Sequence, residues 1–456
     1  MARERVDAVV VGAGICGLAC AYWLRRRGRS VVIAERAPRA GGVIESTHAS
    51  GFLVEAGPNS TLETNPAFGN LFSSVGVADA RIVASRDARK RFILRGGKLH
   101  ALPMSPLALI KTTLFSPSAK VRLLAEPFVR RGTSDDEGVW SFFNRRFGKE
   151  IADYAVDPFV SGVYAGDASR LGVRSAFPSL SAFESNSGSV LRGAIGSARG
   201  GRRGAMVSFG DGMETLTSAL VRSLGDALRL QRECVRLERG DAKNSWRVIM
   251  RNDDEDEVVE CDTVVLAAPA DTARRLIEPL DRDGAAELSS IEYAPVATVF
   301  LGYDRNMVDH PLDGFGFLVP SREHRDILGV IFSSTLFDRR SPSGSVALTA
   351  FAGGAMRPEL VHLDDDDLTA LVTAELDRIV GTRGKPDFVK IRRWKRAIPQ
   401  YNSGHHAVVE RLHELETHLP GLYFCANYTG GISVADCART ATTVADSVNE
   451  RLSAGV

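Results

Sequence analysis

The sequence predicts an α/β fold (α+β overall) in which the two ends of the chain meet in one domain. An apolar run at residues 6–11 is followed by a glycine-rich turn and an Ala- and Leu-rich segment, which is typical of strand, turn and helix. The same succession returns at 422–426, 427–434 and 435–452. From Ala294 onward apolar residues recur with a period of two, which predicts a mixed sheet in a second domain.

The first turn has the spacing Gly-x-Gly-x-x-Gly, formed by Gly12, Gly14 and Gly17. Gly12 permits a tight turn, the bare backbone at Gly14 lets a pyrophosphate approach, and Gly17 allows close packing of helix on strand. The free N–H groups and positive end of the helix then face the phosphates. Glu35 ends the second predicted strand, at 30–34, where a carboxylate can accept a hydrogen bond from a ribose hydroxyl. The opening therefore predicts a Rossmann-type dinucleotide site.

Composition limits the class of protein. A chain of 456 residues with 44% hydrophobic and 25% charged residues is typical of a soluble protein of two or three domains. The net charge of +1 predicts no nucleic-acid partner. Without a secretory signal or an apolar run of about 20 residues, neither export nor a spanning helix is expected. The cysteines show no Cys-x-x-Cys pairing, so we expect free buried thiols at Cys16, Cys20, Cys234, Cys261, Cys425 and Cys437.

Local patterns predict the intervening elements. In the first half we predict a strand at 51–55 before a Gly-Pro turn, a helix at 62–77, a hairpin at 91–102, short helices from 103 to about 183, a mobile surface loop at 193–204, and a helix ending near 224. In the second half we predict strands at 228–239, 246–251, 258–261 and 263–268, a solvated turn at 253–257, a helix at 270–277, strands at 296–303, 314–319, 329–333, 346–351 and 389–394, and a helix at 368–380. The acidic run at 364–367 suits the start of that last helix, and metal binding there is disfavoured because no other ligand type accompanies it.

The glycine motif alone does not separate NAD from FAD, and the segment 35–42 favours FAD through a resemblance. It resembles the Glu-x-x-x-Arg-x-Gly-Gly element of FAD-binding amine-oxidase-like proteins, in which two glycines let a loop pass close to the flavin. Arg39 is expected to balance phosphate charge. The turn at 427–434 brings a second helix N-terminus toward the same cofactor, where its positive end suits the negative charge of a reduced isoalloxazine.

Four further motifs lie in the order found in the oxygen-dependent protoporphyrinogen oxidase family, which the chain resembles from residue 6 to about 448. They are Ser-Gly-Val-Tyr-Ala-Gly-Asp at 161–167, Phe-Pro-Ser-Leu at 177–180 with Glu184, the segment 314–320 with Leu328-Gly329, and Ile-Pro-Gln-Tyr at 398–401 with Gly404-His405. The chain departs from the family pattern at Ile432-Ser433-Val434-Ala435, so flavin contacts there are expected through the backbone.

The resemblance implies FAD-dependent oxidation of protoporphyrinogen IX to protoporphyrin IX in haem biosynthesis. Molecular oxygen would be the acceptor, and three cycles would remove six electrons and form hydrogen peroxide. FAD carries the chemistry through flavin N5, so neither a catalytic side chain nor a metal is expected. Substrate contacts are implied at Arg91, Gly162, Phe315, Leu318 and Ile331. Arg91 would pair with a propionate, because a guanidinium binds a carboxylate bidentately.

The resemblance also implies the FAD contacts and the domains. The implied FAD contacts are Gly12, Ala13, Gly14, Ile15, Cys16, Gly17, Glu35, Arg36, Gly41, Gly42, Gly57, Pro58, Asn59, Ser60, Val235, Trp394, Ile432, Ser433 and Val434. The implied domains are a discontinuous FAD-binding domain (1–88, 205–282 and 396–456), a substrate-binding domain (89–102 and 283–395) and a helical domain (103–204). In the last, the apolar segment 107–115 has Lys111, Lys120 and Arg122 near it, so it suits either a membrane surface or the buried side of the domain.

A cytoplasmic location is expected, with peripheral membrane contact, a homodimer and hand-over of product to a ferrochelatase left open. Three rival functions also remain open. Coproporphyrinogen III oxidase is the same reaction on a substrate with four propionates. An amine oxidase or carotenoid desaturase would use the same scaffold, although no aromatic cage for an amine is evident. A non-catalytic flavin-binding protein is the third.

Overall fold

Two seven-stranded sheets organise the chain, and helices pack on both. The structure, a computed structural model, describes residues 4–63, 65–134, 136–197, 204–242, 244–252 and 255–455. Among these residues no helix has the length and apolar character needed to cross a membrane.

The first sheet contains both ends of the chain. Its central strand, Glu4–Val11, pairs in parallel with Val31–Ala34 on one side and Glu255–Leu266 on the other. The strand Leu422–Phe424 joins the far side of Glu255–Leu266, also in parallel, so the C-terminal segment returns close to the start. The sheet is completed by Leu228–Arg229, Glu233–Arg239 and Trp246–Asn252.

Alternation along the first strand directs side chains to two separate cores. Ala8 and Val10 face one layer of helices, whereas Val9 and Val11 face the other, as expected of a strand buried on both sides. The first layer consists of Ile15–Arg26, Pro66–Ser74, Glu214–Leu224 and Val434–Ser453. The second consists of Ala270–Ile277, Arg282–Ser289 and His405–His418.

The second sheet is antiparallel except at one pair of strands. In spatial order it contains Phe388–Pro399, Tyr293–Asp304, Ser345–Gly353, Gly329–Ile331, Gly316–Leu318, Arg91–Arg95 and Lys98–Ala101. The parallel pair is Gly316–Leu318 with Arg91–Arg95. The helix Asp365–Val380 covers one face, and the two-residue turn of the predicted hairpin has positive φ at Gly96 and Gly97, as a tight hairpin requires.

A helical region and two small sheets complete the fold. The α-helices of the region are Pro106–Lys111, Pro117–Leu124, Val139–Phe147, Lys149–Ile151, Asp157–Tyr164, Val173–Ala176, Pro178–Ser187 and Val190–Ser197, with a π-helical turn at Ala152–Val156. The small sheets pair Ser46–Ala49 with Phe52–Glu55, and Ala205–Phe209 with Thr61–Glu63 and Arg81–Val83. The remaining short helices are Ser333–Leu336 and the 3₁₀ turns Ala78–Ala80, Arg86–Arg89, Glu126–Phe128, Gly225–Ala227, Arg305–Met307, Ser321–Glu323 and Pro358–His362.

The predicted helix at 62–77 is wrong at its start. Residues 61–63 form a strand that pairs with Ala205–Phe209, and the helix is the shorter Pro66–Ser74. The backbone of this strand is satisfied by a partner about 140 residues away, which local periodicity cannot reveal. Asn65 then caps the shorter helix by accepting a hydrogen bond from the N–H of Phe68 at 2.9 Å.

Two further predictions are wrong in part. The loop predicted at 193–204 is helical up to residue 197, as part of Val190–Ser197, and residues 198–203 lie outside the described residues. The turn predicted at 253–257 is wrong at residues 255–257, which belong to the strand Glu255–Leu266. The two strands predicted at 258–261 and 263–268 are parts of this same strand. Residues 253–254 are not among the described residues. The six cysteines are free and buried, as predicted.

A buried ion network holds the helical region together. The guanidinium of Arg146 is fully buried and pairs with the fully buried carboxylate of Glu126 at 3.0 Å and with Glu184 at 2.5 Å. Glu126 also accepts the backbone N–H of Val190 at 2.9 Å, so it caps the helix that begins there. Glu184, singled out in the sequence as part of a motif, is therefore a structural residue.

We predict that Glu126→Ala lowers the free energy of unfolding by about 3–5 kcal/mol, because it leaves a buried cation with one of its two carboxylates. Asp262→Ala is the matched control: its carboxylate pairs with Arg5 at 2.6 Å on the surface, and its loss should cost less than about 1 kcal/mol. Urea unfolding of the two FAD-loaded variants and the FAD-loaded parent measures both losses of unfolding free energy. Equal costs would contradict a structural role for the buried pair.

Candidate cofactor and substrate site

The three glycines of the first turn differ in what surrounds them. A Cβ on Gly12 would lie 2.8 Å from the carbonyl oxygen of Ala267, and one on Gly17 would lie 1.9 Å from that of Gly12, so both positions require glycine for packing. A Cβ on Gly14 would meet nothing within 4 Å. Open space at the middle glycine is what a pyrophosphate cradle needs, so these residues fit a dinucleotide.

The first helix presents its N-terminus to this space. The helix Ile15–Arg26 starts after Gly14, and no side chain of the described residues caps it. Its first turn contains no acidic residue, and the N–H of Leu18 is bonded to the carbonyl of Gly14 at 2.9 Å. The N–H groups ahead of Leu18, at Ile15, Cys16 and Gly17, are those that a helix leaves for a phosphate.

Glu35 braces the glycine turn. Its Oε2 accepts the N–H of Ala13 at 2.8 Å, and its Oε1 accepts the N–H of Ala37 at 2.8 Å. Each carboxylate oxygen keeps a second lone pair, so the predicted ribose contact is compatible with this bracing. The sequence indicated the ribose contact and missed the bracing. The neighbouring Arg36 is exposed.

The Gly41-Gly42 loop passes over the glycine turn. A Cβ on Gly42 would lie 3.3 Å from the Cα of Gly14. Arg39 donates to the carbonyl oxygens of Ala40 at 2.6 Å and Gly42 at 2.9 Å. The guanidinium therefore holds the loop in place, and its donors are directed at the loop instead of at the phosphate expected from the sequence.

The C-terminal helix meets the first helix side by side. Val434 and Cys437 lie in the same core cluster as Cys16. Ser433 caps the helix, because its Oγ accepts the N–H of Asp436 at 3.0 Å. The Ser433 side chain is therefore used within the turn, which is compatible with the expectation that flavin contacts here are made through the backbone.

The turn before this helix is held by the Ile-Pro-Gln-Tyr motif. The hydroxyl of Tyr401 donates to the carbonyl of Asn427 at 2.5 Å and accepts the N–H of Gly431 at 3.0 Å. The His405 ring stacks on Tyr401 with centroids 4.2 Å apart, and its Nε2 donates to the carbonyl of Tyr428 at 2.8 Å. Burial raises the pKa of Tyr401 and lowers that of His405, so the phenol stays protonated and the imidazole neutral.

A chain of contacts connects the first turn to the second sheet. A Cβ on Gly57 would lie 2.1 Å from the carbonyl oxygen of Val43, so the turn at 57–60 packs on the Gly41-Gly42 loop. Trp394, on a strand of the second sheet, donates from Nε1 to the carbonyl of Ala56 at 2.7 Å. Pro58, Asn59 and Ser60 are half-buried in the same turn. Val235 lies at a bulge between Cys234 and Arg236, in an edge strand of the first sheet.

Strand register brings three of the predicted substrate residues to one face. Arg91 pairs with Gly316, and Gly316 pairs with Ile331. In the next row Leu318 pairs with Gly329. The row between these two points its side chains to the other face of the sheet, where they pack in the core with helix Asp365–Val380. This row consists of Phe92, Phe317, Val330 and Ala350. The opposite face is therefore the candidate substrate surface.

The same register adds residues that the sequence reading missed. Gly329 pairs with Phe351, which is half-buried on the candidate surface. Gly316 and Gly329 carry no side chain, so this face is flat between its apolar residues. Period-two alternation around these glycines was the available signal. It was not sufficient by itself, because it does not say which strands are neighbours.

Arg91 is a half-buried cation without a carboxylate partner among the described residues. Its guanidinium carbon lies 5.5 Å from the centroid of the Phe315 ring. Phe315 and Ile331 pack in one small cluster beside it. The preceding Lys90, in contrast, is paired with Asp313. A lone guanidinium beside apolar groups suits an apolar ligand that carries a carboxylate.

Gly162 lets the helical region touch this surface. It lies on the helix Asp157–Tyr164, and a Cβ there would be 2.3 Å from Cδ2 of Leu318. The helix ends at Tyr164, and the next residue, Ala165, has a left-handed φ of 48°. Gln400 donates to the carbonyl of Tyr164 at 2.8 Å, so two of the sequence motifs bind each other.

Comparisons with known proteins agree with this geometry. The family model described as flavin containing amine oxidoreductase matches residues 15–449. Protoporphyrinogen oxidase 2, chloroplastic/mitochondrial, of Arabidopsis thaliana is 32% identical and covers 98% of this chain and 96% of its own. Coproporphyrinogen III oxidase of Bacillus subtilis (strain 168) is 25% identical and covers 96% of each.

Solved structures share the whole fold. A protein of Exiguobacterium sp. 255-15, solved as a candidate protoporphyrinogen oxidase, has a TM-score of 0.81 at 25% identity over 99% of this chain and 100% of its own. Putrescine oxidase bound to putrescine has a TM-score of 0.72 at 17% identity over 98% of this chain and 99% of its own, which shows likeness of fold alone.

The predicted resemblance and the predicted α/β fold are confirmed, and FAD is the cofactor that the family and the glycine cradle share. The chain belongs to the flavin-containing amine oxidoreductases, as a relative of the protoporphyrinogen oxidases.

Proposed function

We propose that the protein oxidises protoporphyrinogen IX to protoporphyrin IX in haem biosynthesis, with molecular oxygen as the acceptor. Three cycles remove six electrons and six protons and form three molecules of hydrogen peroxide. When bound, FAD supplies the hydride acceptor. The observation that carries the proposal is Arg91, which has no carboxylate partner in the described part of the chain and lies at the edge of a flat apolar face of the second sheet. This pattern suits a large ring with propionate side chains.

Each group of residues then has one task. Leu318 and Ile331 contact the ring, and Arg91 binds a propionate. Gly162 permits the helix to close against Leu318, which narrows the slot and excludes water. Tyr401 and Trp394 hold the two turns that face the cofactor. No side chain is assigned to move a proton.

Coproporphyrinogen III is the alternative substrate, because relatives named for its oxidation align over nearly the whole chain. The higher identity to the protoporphyrinogen oxidases, 32% against 25%, favours protoporphyrinogen. The motifs at 91–93 and 314–320 favour the same substrate. A substrate with four propionates would also need cations besides Arg91.

Anaerobic mixing of the purified holoenzyme with protoporphyrinogen IX tests the proposal. The flavin absorbance should bleach, return on admission of air, and be accompanied by porphyrin fluorescence. Coproporphyrinogen III in a parallel assay should be turned over more slowly at equal concentration. No bleaching with either porphyrinogen would contradict the proposed function, and faster turnover of coproporphyrinogen III would select the alternative.

We predict that Arg91→Ala raises KM for protoporphyrinogen IX about tenfold to hundredfold, the loss expected for a charge-assisted hydrogen bond of about 1.5–3 kcal/mol. FAD should stay bound. Arg86→Ala is the control, since Arg86 is an exposed arginine in the turn just before the same strand. Steady-state kinetics with flavin quantitation measure both, and an unchanged KM in Arg91→Ala would remove Arg91 from the site.

We predict that Gly14→Val folds but binds no FAD, because its methyl groups enter the open space assigned to the pyrophosphate. Gly17→Val should fail to fold, since its Cβ would overlap the carbonyl of Gly12. Gly210→Val is the matched control with no neighbour within 4 Å and should keep its flavin. Flavin absorbance and circular dichroism distinguish the three. Retained flavin in Gly14→Val would contradict the placing of the phosphates.

We also propose that the helical region docks on a membrane surface. Large apolar side chains are exposed just before and along the helices Pro106–Lys111 and Pro117–Leu124 and in the turn that follows them: Met104, Leu107, Ile110, Val121, Leu124 and Phe128. Phe128, 84% exposed, is followed by the exposed Arg130 and Arg131. Of the cations expected from the sequence, Lys111 is exposed, whereas Lys120 donates to the carbonyl of Thr112. An apolar surface with adjacent cations suits an anionic bilayer.

We predict that the holoenzyme sediments with vesicles of phosphatidylglycerol and phosphatidylcholine, and that Ile110→Asp with Leu124→Asp abolishes this. Both side chains are about 70% exposed, so the fold should tolerate the change. Met356→Asp, at an exposed apolar residue of the second domain, is the control and should still sediment. Equal sedimentation of the double variant and the control would contradict the docking surface.

A further inference from the structure

Three consecutive residues after the strand Gly316–Leu318 are each bound by the helical region. Asp157 accepts both the N–H of Ser321 at 2.7 Å and its hydroxyl at 2.9 Å. Asp153 pairs with Arg322 at 2.5 Å. The hydroxyl of Tyr154 lies 3.3 Å from Oε1 of Glu323. We call these six residues the clamp.

The π-helical turn makes this arrangement possible. Asp153 and Tyr154 lie within Ala152–Val156, where five-residue hydrogen bonding adds one residue to a helical turn, and Asp157 follows directly. The three side chains therefore reach one short 3₁₀ turn, Ser321–Glu323, on the neighbouring domain. A π turn inside a helix is uncommon and is frequent at functional sites, where it redirects side chains.

The clamp lies next to the contact that closes the slot. Asp157 begins the helix that carries Gly162, five residues further along, which is about 7.5 Å of helix at 1.5 Å per residue. Ser321 follows Leu318 by three residues. Gly162 and Leu318 are in direct contact. The clamp and the slot wall are thus two neighbouring contacts between the segment 153–162 of the helical region and the segment 318–323, which contains the end of the strand and the 3₁₀ turn after it.

We propose that Asp157 is a positioning residue: through Ser321 it holds the helix Asp157–Tyr164 against Leu318 and so sets the width of the porphyrinogen slot. The inference rests on the proposed function for its substrate. Asp157 is a more specific link between the two segments than Asp153. Asp153 also binds Trp140 at 2.9 Å and Lys149 at 3.1 Å within the helical region, so its loss would disturb that region as well. Among the described residues, the Asp157 carboxylate accepts hydrogen bonds from Ser321 alone.

The chain offers a matched control. Asp167 binds the N–H and hydroxyl of Ser169 at 2.8 and 2.6 Å, the same pair of hydrogen bonds that Asp157 makes with Ser321. Ser169 is two residues away, so this pair does not link the two domains. A comparison of Asp157→Ala with Asp167→Ala therefore separates the loss of a linking contact from the loss of a local carboxylate.

In Asp157→Ala, KM for protoporphyrinogen IX should rise about fivefold to tenfold, the effect of about one net hydrogen bond. The turnover number, the FAD content and reduction by dithionite should stay within twofold of the parent. Asp157→Asn keeps one acceptor oxygen, so its KM should lie between those of the parent and Asp157→Ala. Ser321→Ala is a milder change and should raise KM less than Asp157→Ala does. Asp167→Ala should leave KM unchanged. An unchanged KM in Asp157→Ala, or equal changes in both alanine variants, would overturn the proposal.

Hydrogen exchange of the holoenzymes without substrate separates this inference from the proposed function. The backbone amides of 157–164 and 316–323 should exchange faster in Asp157→Ala than in Asp167→Ala. Equal exchange would overturn the positioning role whatever the substrate is. Faster exchange in an enzyme that turns over no porphyrinogen would support the clamp and contradict the proposed function.

Discussion

The return of the C-terminal strand to the first sheet is the constraint on which the site depends. Leu422–Phe424 pairs in parallel with the strand next to Glu4–Val11, and each of these strands runs into a turn and then a helix. Parallel strands in one sheet end at the same edge, so the two turns lie together and their helices pack side by side. The first helix leaves its N-terminal N–H groups free of a side-chain cap and of acidic residues, as an anion site requires, whereas Ser433 caps the last helix and Asp436 lies in its first turn.

Most of the motifs that identify the family support the site instead of taking part in chemistry. Tyr401 and His405 hold the turn before the last helix, and Gln400 links that segment to Tyr164. Glu184 pairs with the buried Arg146. Such residues are strongly constrained because a buried polar group without its partner is costly. Arg91 is the exception, since it pairs with no carboxylate among the described residues and its guanidinium lies over the Phe315 ring. A motif therefore indicates the family well and the site residues less directly.

Sequence prediction succeeded where residues within one short segment define both the element and its ends. The helix at 270–277 agrees at both ends with Ala270–Ile277, and the hairpin at 91–102 agrees with its strands and its Gly-Gly turn. It failed at residues 62–63, which were predicted as helix and instead pair with a distant strand. The turn predicted at 253–257 is wrong in part for a different reason: residues 255–257 already pair with the neighbouring strand Trp246–Asn252, so the hairpin strand begins earlier than predicted.

By itself the sequence determined the cofactor class, the succession of strand, glycine turn and helix at each end, and the family, since these depend on spacing within short segments. Only the tertiary structure decided that Arg91, Leu318 and Ile331 share a face, that Arg39 holds a loop, and that Asp157 reaches Ser321. Those facts depend on register and packing between segments up to about 240 residues apart. Periodicity within a segment places a side chain on one of two faces and contains no information about which other segment covers that face.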